Sequence, residues 1–378
     1  MLQATVPDVP ISWKDYGETF PLEIFREIID SPEKIIGIYN VSAILTGVNG
    51  IPFITELEYF YKHDFETWVS FNGESPDEYS PSEGLMICSL RVEVVGHKSY
   101  QYTAINGQKG WKVYRLPVLR PLGDKGIGEE DLRHHFFPGF GFISTCVHYG
   151  NDGFGGPTYR TLSLVTKNFL GYEVLGGIGP VGLKDSCFFS KNDGICGREI
   201  GGFTRISTSL AQEKGGESHS IVYVSTRDFV SWDFGVNRVP FLRNGLVEWG
   251  RHKVGHNAPP IWINPEALAS IEPDFLKTLP NGCWFHSLHG VNKMGESGRH
   301  KYSISFGLSS SDEPWKLTHL LPYAFNVDEN IIFSNGHWME NDVYFMICGI
   351  EDAKTHVFGA SFSKLLRETV RHPWQIEN

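Results

Sequence analysis

Leu164-Val165-Thr166-Lys167-Asn168-Phe169-Leu170-Gly171-Tyr172 is one copy of a form that occurs four times in this chain. A run of strand character is followed by small polar residues, then Asn or Asp, then an aromatic, then a second run. The other copies span Tyr102 to Trp111 (YTAINGQKGW), Val224 to Trp232 (VSTRDFVSW) and Leu308 to Trp315 (LSSSDEPW). The first three aromatic landmarks, Trp111, Tyr172 and Trp232, lie about 60 residues apart, room for one small sheet and its loops. Each copy reads as a hairpin whose polar tip turns and whose aromatic packs on a neighbouring sheet. Sheets that cannot bury both faces alone stack radially into a propeller. A plain meander of hairpins is the alternative reading of the same pattern.

Composition agrees with an all-β chain: 41 glycines, 21 prolines and 13% aromatic residues in 378 positions suit many short strands joined by turns. Helical spacing is confined to Phe20–Ile29, Pro265–Leu279 and Ala360–Val370, which read as a few peripheral packing helices. Residues 61–85 form an acidic, turn-rich insertion. A formal charge of −11 with no basic run or basic aromatic stripe excludes a nucleic-acid surface. No segment has the apolar length of a membrane span, and the first residues lack the basic start and apolar core of a signal peptide. A cytoplasmic location is the expectation. The six cysteines are scattered through apolar runs with neither a disulfide framework nor a zinc knuckle, so they read as buried free thiols. His286 and His289 lack a third ligand at suitable spacing, and no metal site is expected.

Chemistry concentrates in Glu129-Glu130-Asp131-Leu132-Arg133. Carboxyl groups beside one another and near an arginine have adjustable pKa values, which a general acid requires. On its own such a run is most often a solvated acidic turn. It gains weight from a series of further motifs: Ile38-Tyr39-Asn40-Val41-Ser42-Ala43, Leu90-Arg91-Val92-Glu93, Arg160 through Phe169, Lys184-Asp185 with Phe188-Phe189, Phe203-Thr204-Arg205, Gly255 through Pro260, His289-Gly290 and Gly349-Ile350-Glu351-Asp352.

In this order and with these spacings, from about residue 36 to 365, the chain resembles glycoside hydrolase family 130, the β-mannoside phosphorylases and their relatives. The resemblance implies a five-bladed β-propeller over 36–365, preceded by an N-terminal extension with a helix (1–35) and followed by a tail (366–378). It implies inversion at a mannosyl anomeric carbon, with Asp131 at the place of the family's proton donor. An inverting hydrolase needs an acid and a second carboxylate that activates water. An inverting phosphorylase needs the acid and cations that hold phosphate against the opposite face of the sugar. The resemblance assigns that grip to Arg160, Lys184 and Arg205, with His289 nearby. It places Asn40, Arg91, Asp185 and Asp352 around the mannosyl unit. No cofactor is implied beyond phosphate as co-substrate. Trp284, Trp338 and Tyr302 offer faces on which a sugar could stack, although core packing explains each taken singly.

Departures from the family pattern, Leu132 and Val41 at proline positions among them, indicate a divergent member. A protozoan branch similar to the family uses GDP-mannose as well as mannose 1-phosphate, and the resemblance extends to it. The expectation is therefore a mannosyl-transfer enzyme acting by reversible phosphorolysis on β-mannosides, with β-1,2-linked mannan oligosaccharides as substrates, mannose 1-phosphate as product and GDP-mannose as a further donor. An inverting β-mannosidase, which would draw its second carboxylate from Asp185 or Glu351, is one rival. A glycan-binding propeller without catalysis is the other. Neither oligomeric state nor the role of the insertion follows from the sequence.

Overall fold

The computed structural model describes residues 11–48, 51–63, 66–71, 79–108, 110–121, 128–151, 157–175, 182–190, 200–206, 218–234, 240–294, 300–325, 332–351 and 354–374. The first strand, β1 (Lys14–Glu18), belongs to the last sheet. The chain then forms antiparallel meanders in succession. The first holds β2 (Ile35–Thr46), β3 (Trp68–Ser70), β4 (Leu85–Val94), β5 (Lys98–Gly107) and β6 (Gly110–Tyr114), paired in the order β2-β4-β5-β6-β3. The second runs in chain order through β7 (Gly128–Phe137), β8 (Gly141–Asn151), β9 (Pro157–Thr166) and β10 (Glu173–Val174). A single parallel bridge, Ser99 to Gly128, joins these two meanders into one sheet. The third runs through β11 (Leu183–Phe189), β12 (Ile200–Ile206), β13 (Ile221–Thr226) and β14 (Trp232–Asp233).

In the fourth, β15 (Lys253–His256) and β16 (Ile261–Ile263) both pair with β17 (Cys283–Met294), which is followed by β18 (His300–Ser310) and β19 (Leu317–Leu320). The fifth holds β20 (Ile332–Glu340), β21 (Val343–Ile350) and β22 (Lys354–Ser361). Its outer strand is β1, with Lys14 opposite Gly359, so residues within the expected N-terminal extension complete the last sheet and cover its open edge.

Each quoted hairpin copy is the turn between the third and fourth strands of one of the first four meanders. The polar tips work through local hydrogen bonds. Thr166 Oγ1 accepts from the Phe169 N–H, Asn168 Oδ1 from the Leu170 N–H, and Asp228 Oδ1 from the N–H groups of Val230 and Ser231. Phe169 and Phe229 are buried against Phe142 and Phe137 at ring separations of 5.0 and 4.8 Å. The fifth meander carries no copy because its fourth strand arrives from the other end of the chain.

Apolar side chains fill the spaces between neighbouring meanders. Ile44, Ile87, Phe142 and Phe169 join the first to the second, and Phe137, Phe188 and Ile200 the second to the third. Phe203, Trp249 and Leu288 join the third to the fourth, and Phe285, Phe306, Tyr344 and Phe358 the fourth to the fifth. Ile38, Leu90, Ile347 and Val357 join the fifth back to the first, so the packing closes on itself.

The helices α1 (Leu22–Ile28), α2 (Thr55–His63), α3 (Pro265–Ile271) and α4 (Phe362–Val370) lie outside this core. In α4, Phe362, Leu365, Leu366 and Thr369 supply the buried face, and the Ser361 hydroxyl caps its start by accepting from the Lys364 N–H. Among the described residues no helix is long and apolar enough to cross a membrane. Five cysteines are buried and unpaired; Cys196 lies outside the described residues.

Candidate active site

The first strands of four meanders break their register at a corresponding place, and an Asn or Asp sits at each break. These are Asn40 in β2, Asp131 in β7, Asp185 in β11 and Asn335 in β20. In the fourth meander Asn257 follows directly after β15. Asn40, Asp131 and Asp185 have φ of 51°, 56° and 56°. A bulge that needs left-handed backbone favours Asn and Asp, whose short polar side chains tolerate it best after glycine. The bulge turns each side chain out of its own sheet toward its neighbours. Asn335 Nδ2 donates to the Asn40 carbonyl at 3.3 Å, and Asn40 Nδ2 donates to Asp131 Oδ1 at 2.7 Å. Arg133 then ties three meanders together: Nη1 donates to the Asp131 carbonyl, Nε to the Asn257 carbonyl, and Nη2 to Asp185 Oδ1 and the His256 carbonyl.

Asp131 is the best-controlled carboxyl in this arrangement. It is buried, with 2% of its surface exposed. Beyond its bond from Asn40, it has Arg91 Nη1 at 3.6 Å and Lys184 Nζ at 3.8 Å. Burial alone would raise its pKa, but Lys184, Arg91 and Arg133 together outweigh that and hold the carboxyl below its ordinary value. Its neighbour Glu130 behaves oppositely. Burial raises its pKa even though Arg91 Nη2 lies 2.6 Å from Oε1. Arg91 is itself fixed, donating from Nε to Ser99 Oγ and lying 4.8 Å from the ring centre of Tyr39. One arginine thus divides its charge between adjacent carboxyls whose pKa values move apart.

Facing Asp131 is a cationic wall. Lys184 on β11 and Arg205 on β12 stand directly opposite each other in register. Like charges so placed are destabilising unless an anion is shared between them. Arg205 Nε pairs with Asp185 Oδ2 at 2.9 Å, while its buried Nη1 has no hydrogen-bond partner among the described residues. His289 Nδ1 donates to Asn257 Oδ1, which turns Nε2 toward Asp185 Oδ2 at 3.3 Å. Burial pulls this imidazole down to about 4 against the pull of Asp185, so it is neutral near pH 7. Asp185, for its part, would be raised by burial, but Arg205, His289 and Arg133 keep it well below the usual carboxylate range. These groups line a cavity of about 210 Å³ whose remaining walls are Tyr39, Asn40, Arg91, Tyr302 and Phe333. Gly255 lets the fourth meander approach, since a Cβ there would run into the His289 ring and lie 2.5 Å from Asp185 Oδ2.

Of the residues singled out in the sequence, Asn40, Arg91, Asp131, Lys184, Asp185, Arg205 and His289 therefore meet in one cavity. Arg160 does not line it. Arg160 lies on β9 opposite His148, whose Nδ1 is 2.9 Å from Glu129 Oε1, two strands away from Asp131. Asp352 lies outside the described residues. His286 and His289 point to different partners. His256 donates from Nδ1 to the Ala258 carbonyl, accepts at Nε2 from His286 Nδ1, and His286 Nε2 accepts from Ser309.

Trp284 and Trp338 line a different cavity of about 700 Å³ farther along the first strands, whereas Tyr302 lies in the smaller one. Among the described residues no lysine or arginine lines the larger cavity, and the one carboxylate there, Asp342, is taken up by Ser361 and Ser363. Size does not decide the matter here; the tuned carboxyl and the cations are in the smaller cavity. Arg133, Asn257 and Tyr39 lie within the quoted motifs, where only Arg133 stands out, as the arginine beside the carboxyls; Phe333 lies in none of them. The recurring Asn/Asp on each first strand was the available signal.

No protein-family model matches the chain, and no curated protein matches it. Solved structures do. The β-1,2-mannobiose phosphorylase from Listeria innocua, in complex with β-1,2-mannobiose, superposes with a TM-score of 0.65 at 16% identity, covering 96% of this chain and 100% of that one. A putative glycoside hydrolase from Parabacteroides distasonis gives 0.55 at 11% identity over 92% and 97% of the two chains. A third structure gives 0.54 at 12% identity over 94% and 95%; it is described under the GH130 family of mannoside phosphorylases containing glycoside hydrolases that target β-1,2 mannosidic linkages in Candida mannan. At these identities the likeness establishes the fold, a propeller-like one shared with GH130 enzymes, and leaves the activity to be argued from the site.

Proposed function

We propose that the protein is a five-bladed propeller that catalyses reversible phosphorolysis of β-mannosides with inversion, taking β-1,2-linked mannan oligosaccharides and releasing α-mannose 1-phosphate. Five meanders, each packed on the next and the last on the first, support the architecture. The observation that carries the activity is the placement of one tuned carboxyl, Asp131, in a small cavity with Lys184 and Arg205, which stand opposite each other in register, the buried Nη1 of Arg205 having no hydrogen-bond partner among the described residues. The shared fold of a phosphorylase that bears β-1,2-mannobiose supplies the substrate class.

In this mechanism a phosphate oxygen held by Lys184 and Arg205 attacks the anomeric carbon from the α face. The carbon–oxygen bond to the leaving sugar breaks, and the Asp131 proton passes to that oxygen, directly or through a sugar hydroxyl. In the synthetic direction Asp131 takes the proton from the acceptor hydroxyl. Without an anion, Asp131 is held as a carboxylate. Phosphate against Lys184 offsets that cation, so the co-substrate itself raises the proton load on the acid. Asn40 and Arg91 orient Asp131 and flank the mannosyl unit. A site that holds phosphate beside an anomeric carbon suits the same group in a nucleotide-linked donor, and the reading includes GDP-mannose in that role.

The hydrolase alternative needs a second carboxylate able to act as base. Asp185 is clamped by Arg205, His289 and Arg133 and held well below the carboxylate range, which makes it a poor one. Incubation of the protein with β-1,2-mannobiose, with and without phosphate, tests the choice. Mannose 1-phosphate formed only with phosphate supports phosphorolysis; free mannose released at equal rates in both would sink it. A third incubation with GDP-mannose and a mannose acceptor tests the nucleotide-linked donor.

A further inference from the structure

Lys253 opens β15, two residues ahead of the Gly255–Pro260 motif. Its Nζ donates to the Tyr302 hydroxyl at 2.6 Å, and Tyr302 lines the cavity with Lys184, Arg205 and His289. The ammonium is half-buried, and among the described residues no carboxylate forms an ion pair with it. The charges that reach it are Arg205 from β12 and Lys184 and Asp185 from β11. His219, whose carbonyl accepts the Val254 N–H, is a further close neighbour and is affected by Lys253 in turn. Two cations and a shared, already committed carboxylate leave this ammonium short of negative charge. An anion in the cavity would supply it.

We propose that Lys253 is a positioning residue of the anion site, holding the Tyr302 hydroxyl in the cavity wall and adding a third positive charge behind Lys184 and Arg205. The inference rests on the reading of this cavity as the phosphate subsite. The ammonium occupies a lone pair of the Tyr302 oxygen, which turns the phenolic hydrogen away from Lys253. Burial, reinforced by Arg205 and Lys184, pulls the Lys253 pKa down to about 7. A bound anion favours the charged form. Anion affinity therefore falls as pH rises through 7, where Lys253 loses its proton. His219 is also pulled below its ordinary value, by burial, Arg205 and Lys253, and so titrates on the acid side of this window.

Sulfate is the suitable probe because it does not itself titrate between pH 6 and 8.5. Calorimetric titration of the full chain should give an affinity that falls about tenfold over that range, as loss of one charge near an anion implies. Lys253→Arg, which keeps its charge, should bind with little pH dependence. Lys253→Met should bind weakly at every pH while unfolding at the wild-type temperature. Wild-type affinity and an unchanged pH slope in Lys253→Met would overturn the role of Lys253 and leave the phosphate subsite standing. A slope that survives in Lys253→Met but vanishes in His219→Gln would assign the titration to His219 and overturn it as well. Failure of the wild type to bind either sulfate or phosphate would remove the subsite, and the proposed phosphorolysis with it.

Discussion

Asp131 owes its chemistry to four neighbours: Asn40, Arg91, Lys184 and, through its backbone carbonyl, Arg133. Replacement by asparagine keeps the shape and the bond-forming capacity toward the sugar but removes the proton. Asp131→Asn is expected to lower kcat by about a thousandfold, the usual scale for loss of a general acid, with mannoside binding still measurable by calorimetry. Lys184 acts on phosphate more than on sugar. Lys184→Met should raise the KM for phosphate by about tenfold or more, on the scale of one hydrogen bond to a charged group, and change the KM for mannoside much less. Equal effects on both would mean that Lys184 serves the sugar. The sequence made these two residues readable because each sits in a short motif with chemical character. Arg160 shows the limit of that reading. An arginine in an apolar strand has the right composition, but its strand is the third of its meander, two removed from the one that carries Asp131.

At the scale of elements, the first strand of each meander does the positioning, and its bulge decides where the Asn or Asp points. Gly255 belongs to this level because it sets how closely β15 approaches β17 and β11. Gly255→Ala should cost about 1–3 kcal/mol in urea unfolding, as overpacking does, and should also weaken phosphate binding because His289 and Asp185 must yield. A stable variant with unchanged phosphate affinity would show that the site has more room than the close contact implies. The hairpins between third and fourth strands are legible from their polar tips and aromatics, which in the first three copies recur about 60 residues apart. The Asn/Asp positions recur at 40, 131, 185, 257 and 335, too unevenly to register as a repeat. Loops and insertions of different length stretch the intervals, and only the pairing shows that these residues are equivalent. The N-terminal strand was hidden for a related reason. Lys14–Glu18 is half-exposed and polar, and it becomes a strand by joining β22 from the far end of the chain.

At the scale of the whole molecule, several histidines are buried and uncharged near pH 7. Burial pulls His134 and His256 down to about 3 and holds His286 well below its ordinary value. The unfolded chain binds these protons near pH 6.5 and the folded one does not, so stability is fully present above 6.5 and declines as pH falls toward 4. Each of the three contributes up to about 1.4 kcal/mol per pH unit in that window. Urea midpoints measured from pH 7 to 4.5 should drop steeply, and a flat profile would mean that these histidines titrate in the folded protein. Closure of the fifth meander on the first brings Asn335 and Asn40 into that arrangement, so the site exists only in the complete fold. The central claim is that the partner of Asp131 is phosphate rather than water. The phosphate consumed per mannosidic bond broken, followed by ³¹P NMR with β-1,2-mannobiose as substrate, tests it most directly. One phosphate consumed per bond, with α-mannose 1-phosphate accumulating in step, is the predicted result; mannose appearing while the phosphate signal stays constant would contradict it.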